Sequence, residues 1–255
     1  MTITSHHNRK LKEIRKLRQR RRWRERSGRF VAEGEDLLAA ADAAGWPAVE
    51  RYCVAGSGLP GIEVEADLLA SASGLGSGTR TLAVYDERWA ERPLGPLCVY
   101  LHGLQDPGNV GTILRSAEAF GASSVALGPG TADPFSLKAV RASMGAVFAV
   151  PLAKVTDVSN LPGSKLALVP GGGTPLHELW RFASPIAKSG AKVQELSLLV
   201  GAEREGLPQA VVDDVDLLAH IPSQIDSLNA AMAATIALYE LAIRMAREMN
   251  EATDG

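Results

Sequence analysis

From residue 96 onward, short apolar runs rich in β-branched residues recur at Leu97–Leu101, Ser124–Leu127, Val147–Leu152, Leu166–Val169, Leu196–Val200 and Leu217–Ile221, most of them separated by helical or loop segments. Runs that are apolar throughout, instead of alternating, suit strands buried on both faces, and such strands form parallel sheets covered by helices on each side. The chain is therefore predicted to be an α/β protein. In open sheets of this kind ligands bind in the loops beyond the carboxyl ends of the strands, so those loops are the place to look for chemistry. A nicotinamide-dinucleotide enzyme is excluded, because no Gly-x-Gly-x-x-Gly follows the first strand of either half.

The preceding stretch is organised differently. Leu11, Ile14 and Leu17 are spaced as the narrow apolar stripe of an amphipathic helix over Ser5–Arg26, which the Arg18 stem extends. A strand is expected within Gly28–Gly34, a helix over Glu35–Ala44 capped by Gly45, a strand over Val49–Ala55, a short helix over Glu65–Ser73 and a strand over Thr81–Tyr85. The segment Glu91-Arg-Pro-Leu-Gly-Pro96 is the best linker, and it divides the chain into a small α/β domain, 1–95, and a larger one, 96–255.

Charge separates the two ends more sharply than the net −2 suggests. Residues 1–30 hold 12 Lys or Arg against 2 Glu, whereas the remainder holds 15 basic and 27 acidic residues. A basic arm on an acidic body suits a polyanion, because each neutralised phosphate releases counterions. Arg9, Lys10, Lys12, Arg20, Arg21 and Arg22 are the candidate contacts, and the interleaved Trp23 and Phe30 point to RNA, whose splayed bases stack on aromatic rings. A solvated charged helix is the plainer reading of the same residues. Cys53 and Cys98 stand singly in strand-like runs and are expected as buried thiols. The five histidines lack ligand spacing, so no metal is expected. No apolar run reaches membrane length and no signal-peptide core follows the first residues, so a cytoplasmic, membrane-free protein is expected.

Three segments carry polar residues where a plain core would not need them. The first runs from the strand at Leu97 through a Gly-, Asp- and Pro-rich loop containing Asn109 into a helix that buries Ile113, Leu114, Ala117 and Phe120, leaves Arg115 free, and stops at Gly121. The second is Leu199-Val-Gly-Ala-Glu-Arg-Glu-Gly-Leu-Pro208, after a strand, and the third is Ile221-Pro-Ser-Gln-Ile-Asp-Ser-Leu-Asn229, leading into a final helix to about Met249. That helix is apolar almost all round near Ile236, Leu238, Tyr239 and Leu241, so it is expected in the core or at a subunit contact. A further helix over Pro134–Ala142 displays Lys138 and Arg141, candidate phosphate contacts that could equally be surface charges.

Together the three segments resemble the signature motifs of the SpoU (TrmH-like) branch of the SPOUT RNA methyltransferases, Asn-x-Gly-x₃-Arg-x-Ala-x₂-Phe-Gly, Gly-x-Glu-x₂-Gly-Leu and Ile-Pro…Ser-Leu-Asn. The resemblance covers 96–255, and Asn8-Arg-Lys-Leu-Lys…Phe30-Val-Ala-Glu-Gly34 looks more loosely like the opening of the RNA-binding domain that precedes it in several members. It implies S-adenosylmethionine-dependent methylation of a ribose 2′-hydroxyl in structured RNA, a homodimer, and a trefoil knot in the carboxyl-terminal part. It further implies Asn109, Arg115, Glu203, Ser227 and Asn229 as the polar site residues. Cofactor would lie against Gly201, Ile221 and Leu228, with Val169, Pro170 and Gly171 beside it. Ribosomal RNA is the favoured substrate, tRNA the alternative, and a non-catalytic RNA-binding protein the reading from another class.

The residue types agree on their own terms. Glycines let backbone approach a ligand, although turns need them too. Ser227 and Asn229 could cap the last helix, and Arg115 could pair with Glu118. Methyl transfer needs an oxygen held in line and relieved of its proton. A guanidinium with a pKa above ~12 is a very weak base, so Arg115 either accepts that proton with help from the site or only orients and stabilises.

Overall fold

The computed structural model describes residues 2–74, 78–179, 195–225 and 227–253. It divides into two compact units, one of residues 1–88 with 133–149 and one of 89–132 with 150–255. The segment 133–149, embedded in the sequence of the second unit, thus packs as part of the first.

In the first unit, α1 (Arg9–Gln19) starts at Asn8, whose side chain accepts from the Lys10 amide, and α2 (Arg21–Ser27) ends at Gly28 in the left-handed region. The single helix expected over Ser5–Arg26 is interrupted at Arg20, which has an extended backbone. Leu11, Ile14 and Leu17 are buried as their spacing predicts. Between β1 (Arg29–Glu33) and β2 (Glu50–Val54) lies α3 (Glu35–Ala43). Then come β3 (Ile62–Val64), α4 (Ala66–Ala72) and β4 (Thr81–Asp86). The sheet order is β1-β4-β2-β3, with β4 antiparallel to both its neighbours. The three-residue β3 was invisible in the sequence because it is too short to show a period.

Two helices of the 133–149 segment complete this unit, α6 (Leu137–Ser143) and α7 (Ala146–Ala149). They are separated by Met144 and Gly145, both at positive φ. The apolar run Val147–Leu152 was expected to be a strand, yet its first three residues are helical. A short apolar run does not by itself distinguish the two structures, and the turn at Met144–Gly145 starts a new helical turn. Phe148 from α7 and Phe135 ahead of α6 enclose Phe30, with ring centroids 5.8 and 4.7 Å away.

Among the described residues the second unit holds seven strands: β5 (Leu97–Leu101), β6 (Ser124–Leu127), β7 (Leu152–Lys154), β8 (Ser164–Leu168), β9 (Thr174–Pro175), β10 (Leu196–Val200) and β11 (Leu217–His220). All pair in parallel, in the order β7-β6-β5-β10-β8-β11-β9. Every residue of β5, β6 and β10 is buried, as continuous apolar runs predict. Cys98, Tyr100, Ala126, Ala167 and Leu199 form one cluster with Val155, Val158 and Leu161, against which Leu207 and Val211 pack. The helices α5 (Pro107–Ala119) and α9 (Ala230–Thr253) pack on each other, and α9 also on β10. A Ser116–Thr235 hydroxyl pair 2.6 Å apart ties the two helices together. The short α8 (Gln209–Val212) precedes β11.

The final helix is not buried all round. Ala234, Leu238 and Leu241 are buried, whereas Met232, Ile236 and Tyr239 are exposed. Both cysteines are free and buried, and burial, eased by bonds with Ser124 and Ser197, pushes the Cys98 thiol up to about 11. Among the described residues no helix is long and apolar enough to cross a membrane.

Candidate active site

The carboxyl ends of β5, β8, β10 and β11 lie along one edge of the parallel sheet, and the segments leaving them carry the three polar stretches. After β5, Asp106 caps α5 by accepting from the Gly108 amide, and Pro107 supplies a first helical residue that needs no N–H. Asn109, expected in the loop, therefore stands in the first turn of α5. After β10, Ala202 and Gly206 exchange backbone hydrogen bonds of 3.1 and 3.0 Å, folding the Glu203-Arg204-Glu205 tip into a tight arch. This arch needs glycine at 201, where a Cβ would collide with the backbone of Gly206 and Leu207. After β11, the chain reaches Asn229, whose Oδ1 accepts from the amides of Ala231 and Met232 at 3.0 and 3.2 Å and so caps α9.

These caps leave two amide groups oriented. Asn229 Nδ2 donates to Asn109 Oδ1 at 3.2 Å, and Asn109 Nδ2 donates to Glu203 Oε1 at 2.6 Å. The chain of donors runs in one direction, from the start of α9 through Asn229 and Asn109 to the Glu203 carboxylate. It joins all three stretches. Its last bond, to a carboxyl oxygen, is the shorter of the two.

Two depressions meet at Glu203. One is lined by Leu168, Val169 and Pro170, by Gly201, Ala202 and Glu203, and by Ile221, Ser227 and Leu228. The other is bordered by Gly103, Gln105, Asp106, Asn109 and the 202–205 arch. Five of the six residues expected around a cofactor, Gly201, Ile221, Leu228, Val169 and Pro170, share the first depression, while Gly171 is exposed and outside its lining. Of the five polar residues, Asn109, Glu203 and Asn229 are hydrogen-bonded together, and Ser227 lines the cavity with Glu203. Arg115 is exposed on α5, lines neither depression, and makes no ion pair with any described residue, so the pairing with Glu118 is not formed. Sequence reasoning missed Ala230 and Ala233, which line the cavity from the first turn of α9. The Ala-Ala-x-Ala run behind Asn229 was the available signal, since small side chains let a helix approach a ligand.

The candidate RNA contacts fall into two groups in the first unit. Arg9, Lys12, Arg20 and Arg22 are exposed and make no ion pair with the described residues. Lys10 is paired with Glu50, Arg21 with Glu25 at 2.8 Å, and Arg141 with the fully buried Glu33 carboxylate at 2.6 Å. Lys138 is exposed on α6. Phe30 is fully buried in the aromatic cluster and presents no ring for a base. Trp23 is half-buried, and the Lys16 ammonium lies 4.4 Å from its ring centroid. Among the described residues no group of His, Cys, Asp and Glu is placed to hold a metal ion.

Comparison with known proteins fits this geometry. The SpoU rRNA Methylase family matches residues 96–239, more than half of the chain. The chain belongs to that family. An MRM3-like substrate binding domain matches residues 8–83 of this SpoU-family protein. Among curated relatives, the 23S rRNA (guanosine(2553)-2′-O)-methyltransferase RlmP of Bacillus subtilis is 36% identical over 149 residues, 55% of this chain and 56% of RlmP, so the match spans little more than half of that relative. Among solved structures, the AdoMet-bound rRNA methyltransferase from Sinorhizobium meliloti is 30% identical, with 96% of this chain and 97% of that one covered at a TM-score of 0.78. The SpoU methyltransferase AviRb from Streptomyces viridochromogenes, in complex with AdoMet, is 25% identical, with 93% and 98% covered and a TM-score of 0.78.

Proposed function

We propose that this SpoU-family chain is an S-adenosylmethionine-dependent 2′-O-ribose methyltransferase acting on structured RNA in the cytoplasm, with 23S ribosomal RNA as its substrate. The observation that carries the reading is the meeting of an apolar-walled cavity and an oriented amide chain at one carboxylate, Glu203. The cavity suits the cofactor's mixed chemistry. Leu168, Val169, Pro170, Ile221 and Leu228 offer apolar surface to a purine, Gly201 brings backbone N–H and C=O to the wall, and Glu203, Ser223 and Ser227 offer polar groups to ribose and amino acid. When bound, S-adenosylmethionine supplies the electrophilic methyl group.

The protein's own contribution is orientation and charge. Asn229 and Asn109 fix the Glu203 carboxylate as an acceptor on the rim shared by both depressions. A guanidinium is a very weak base, so the part of Arg115 is to hold substrate phosphate and to stabilise negative charge developing on the 2′-oxygen, more than to take a proton. The basic face of α1 and α2 anchors the RNA by counterion release. The 23S assignment is supported by the similarity to RlmP and by the substrate-binding domain match.

The reading includes a homodimer and the trefoil knot that family membership implies. The exposed Met232, Ile236 and Tyr239 face of α9 supports the dimer, because a second copy would cover it. A monomer by light scattering at assay concentration would remove that part.

The central test is single-turnover methylation alongside cofactor titration. Arg115→Ala should lower the rate by roughly 10²–10⁴-fold, the range for a catalytic group that acts on the proton or developing charge. Its cofactor affinity should be unchanged, since Arg115 does not line the cavity. Arg115→Lys keeps the charge but loses the planar fork, and should recover RNA affinity without recovering rate. Near-wild-type turnover in Arg115→Ala would take this residue out of the mechanism.

A further inference from the structure

One wall of the cofactor cavity is the loop 169–173, from which Val169 and Pro170 line the cavity. The loop leaves β8 and returns to the sheet as β9, and both of its ends are fixed on β11. At the start, the Val169 amide donates to Ala219 O at 2.9 Å, and beyond the end Thr174 pairs with Ala219. Gly173, at φ +68°, lies so close to β11 that a Cβ there would collide with the Leu218 carbonyl. Between these anchors, Gly171 and Gly172 are exposed, and an added Cβ at either would meet nothing within 4 Å. One hydrogen bond from the described residues reaches this span, between His220 Nδ1 and Gly172 O at 3.0 Å. A carbonyl only accepts, so the ring nitrogen carries the hydrogen.

Consecutive unpacked glycines have more backbone freedom to lose than any other residues. A cavity wall that must be ordered as its ligand arrives weakens binding by the cost of ordering, and a wall fixed beforehand does not. We propose that His220 is a positioning residue, latching the Gly171–Gly172 span so that Val169 and Pro170 are already presented to the cofactor in the free protein. The inference rests on the placement of S-adenosylmethionine in this cavity. His220 does not line the cavity itself, whereas its neighbour Ile221 does. Its influence therefore falls on cofactor affinity and leaves the rate with cofactor bound unchanged.

The test uses His220→Leu, which cannot donate, and His220→Asn, whose Nδ2 can donate from near the position of the imidazole Nδ1. Hydrogen–deuterium exchange of segment 169–173 in the free protein reads the latch, and calorimetric titration with S-adenosylhomocysteine reads its consequence. His220→Leu should exchange faster in that segment and bind roughly three- to tenfold more weakly, the worth of one net hydrogen bond. At saturating cofactor its kcat should match wild type, and His220→Asn should restore both exchange and affinity. Wild-type exchange and affinity in His220→Leu would overturn the latch, as would a loss that Asn does not restore or one accompanied by a fall in kcat. If the wild-type protein itself does not bind S-adenosylhomocysteine, the cofactor placement falls, and the exchange rates alone judge the latch.

Discussion

Both units of the molecule concentrate charged and polar side chains, but they treat them in opposite ways. In the first unit the charges held most firmly are buried. Arg24, 5% exposed, donates to Asp133 at 2.7 Å and to Leu17 O at 2.6 Å. Glu33, 3% exposed, accepts from Arg141, from the Gly74 amide at 2.8 Å and from Ser73 Oγ at 3.3 Å. In the second unit the linked polar residues Asn109, Glu203 and Asn229 lie at the open ends of the strands. A buried charge must be fully paired to be tolerated at all, so its partners are structural by necessity. A polar chain left open to solvent gains little stability and is free to meet a ligand. Burial therefore sorts the roles. Arg141 and Arg115 illustrate it: similar in the sequence, one is tied to a buried carboxylate and the other reaches out from its helix.

The sharpest way to break this contrast is at Glu33. Removing the partner of a buried charge leaves that charge uncompensated. Arg141→Met, which strands the fully buried Glu33 carboxylate, should therefore destabilise the first unit by about 3–5 kcal/mol, and Glu33→Ala, which leaves a guanidinium already 31% exposed, by less. Replacing both members with apolar residues, Glu33→Leu with Arg141→Met, should recover most of the loss. Denaturant unfolding of the two singles and the double measures the coupling. Should Arg141→Met leave stability intact while weakening RNA binding, Arg141 is a surface contact after all and burial has misled.

A smaller effect is expected within the basic arm, where the structure separates free cations from paired ones. Changing Arg9, Lys12, Arg20 and Arg22 to Gln together should lower the slope of log affinity against log salt by up to about 3 to 4, if each contacts a phosphate. The same change at Lys10 and Arg21, already paired with Glu50 and Glu25, should lower it by less than their number implies. Equal loss per residue in the two sets would show that these surface pairs open freely on RNA, as exposed ion pairs worth little can do.

The sequence made the second unit legible because its signals are local. Continuous apolar runs marked five of its strands, and Gly121 marked the stop of α5, whose start at Pro107 falls in the stretch expected as loop. The site was legible through the resemblance of three segments to the family's motifs, which implied Asn109, Glu203 and Asn229 beyond three strand ends that the sheet order brings together. What stayed hidden depends on long-range contact. The pairing of Glu33 with Arg141 spans 108 positions, and no local pattern announces that 133–149 packs with the first unit. Nor does composition reveal that Phe30 is enclosed by Phe135 and Phe148 and withheld from a base. The two-residue β9 carries no period to detect.

The finest test of sorting by burial is His102, because it follows β5 at the same edge as the site yet is half-buried and lines neither depression. Its Nδ1 lies 2.9 Å from the Tyr100 hydroxyl. Burial holds the His102 pKa below its ordinary value, and burial with the nearby Asp157 charge pushes the Tyr100 hydroxyl up to about 12. Tyr100 therefore stays neutral at working pH. For a base with a lowered folded-state pKa, the unfolded chain takes up the proton first as pH falls. The contribution of His102 is thus intact above about pH 6.5 and is lost progressively as pH drops from there towards the lowered folded value. Urea midpoints from about pH 8 to about pH 5 should fall more for wild type than for His102→Gln, which cannot titrate. The comparison with the variant cancels the carboxylates, which titrate in both. Turnover of His102→Gln at about pH 8 should stay within about twofold of wild type, because His102 lines neither depression. If that variant instead loses methyl transfer while keeping its midpoint, the imidazole acts on the site, and a half-buried polar group at this edge can no longer be counted as structural.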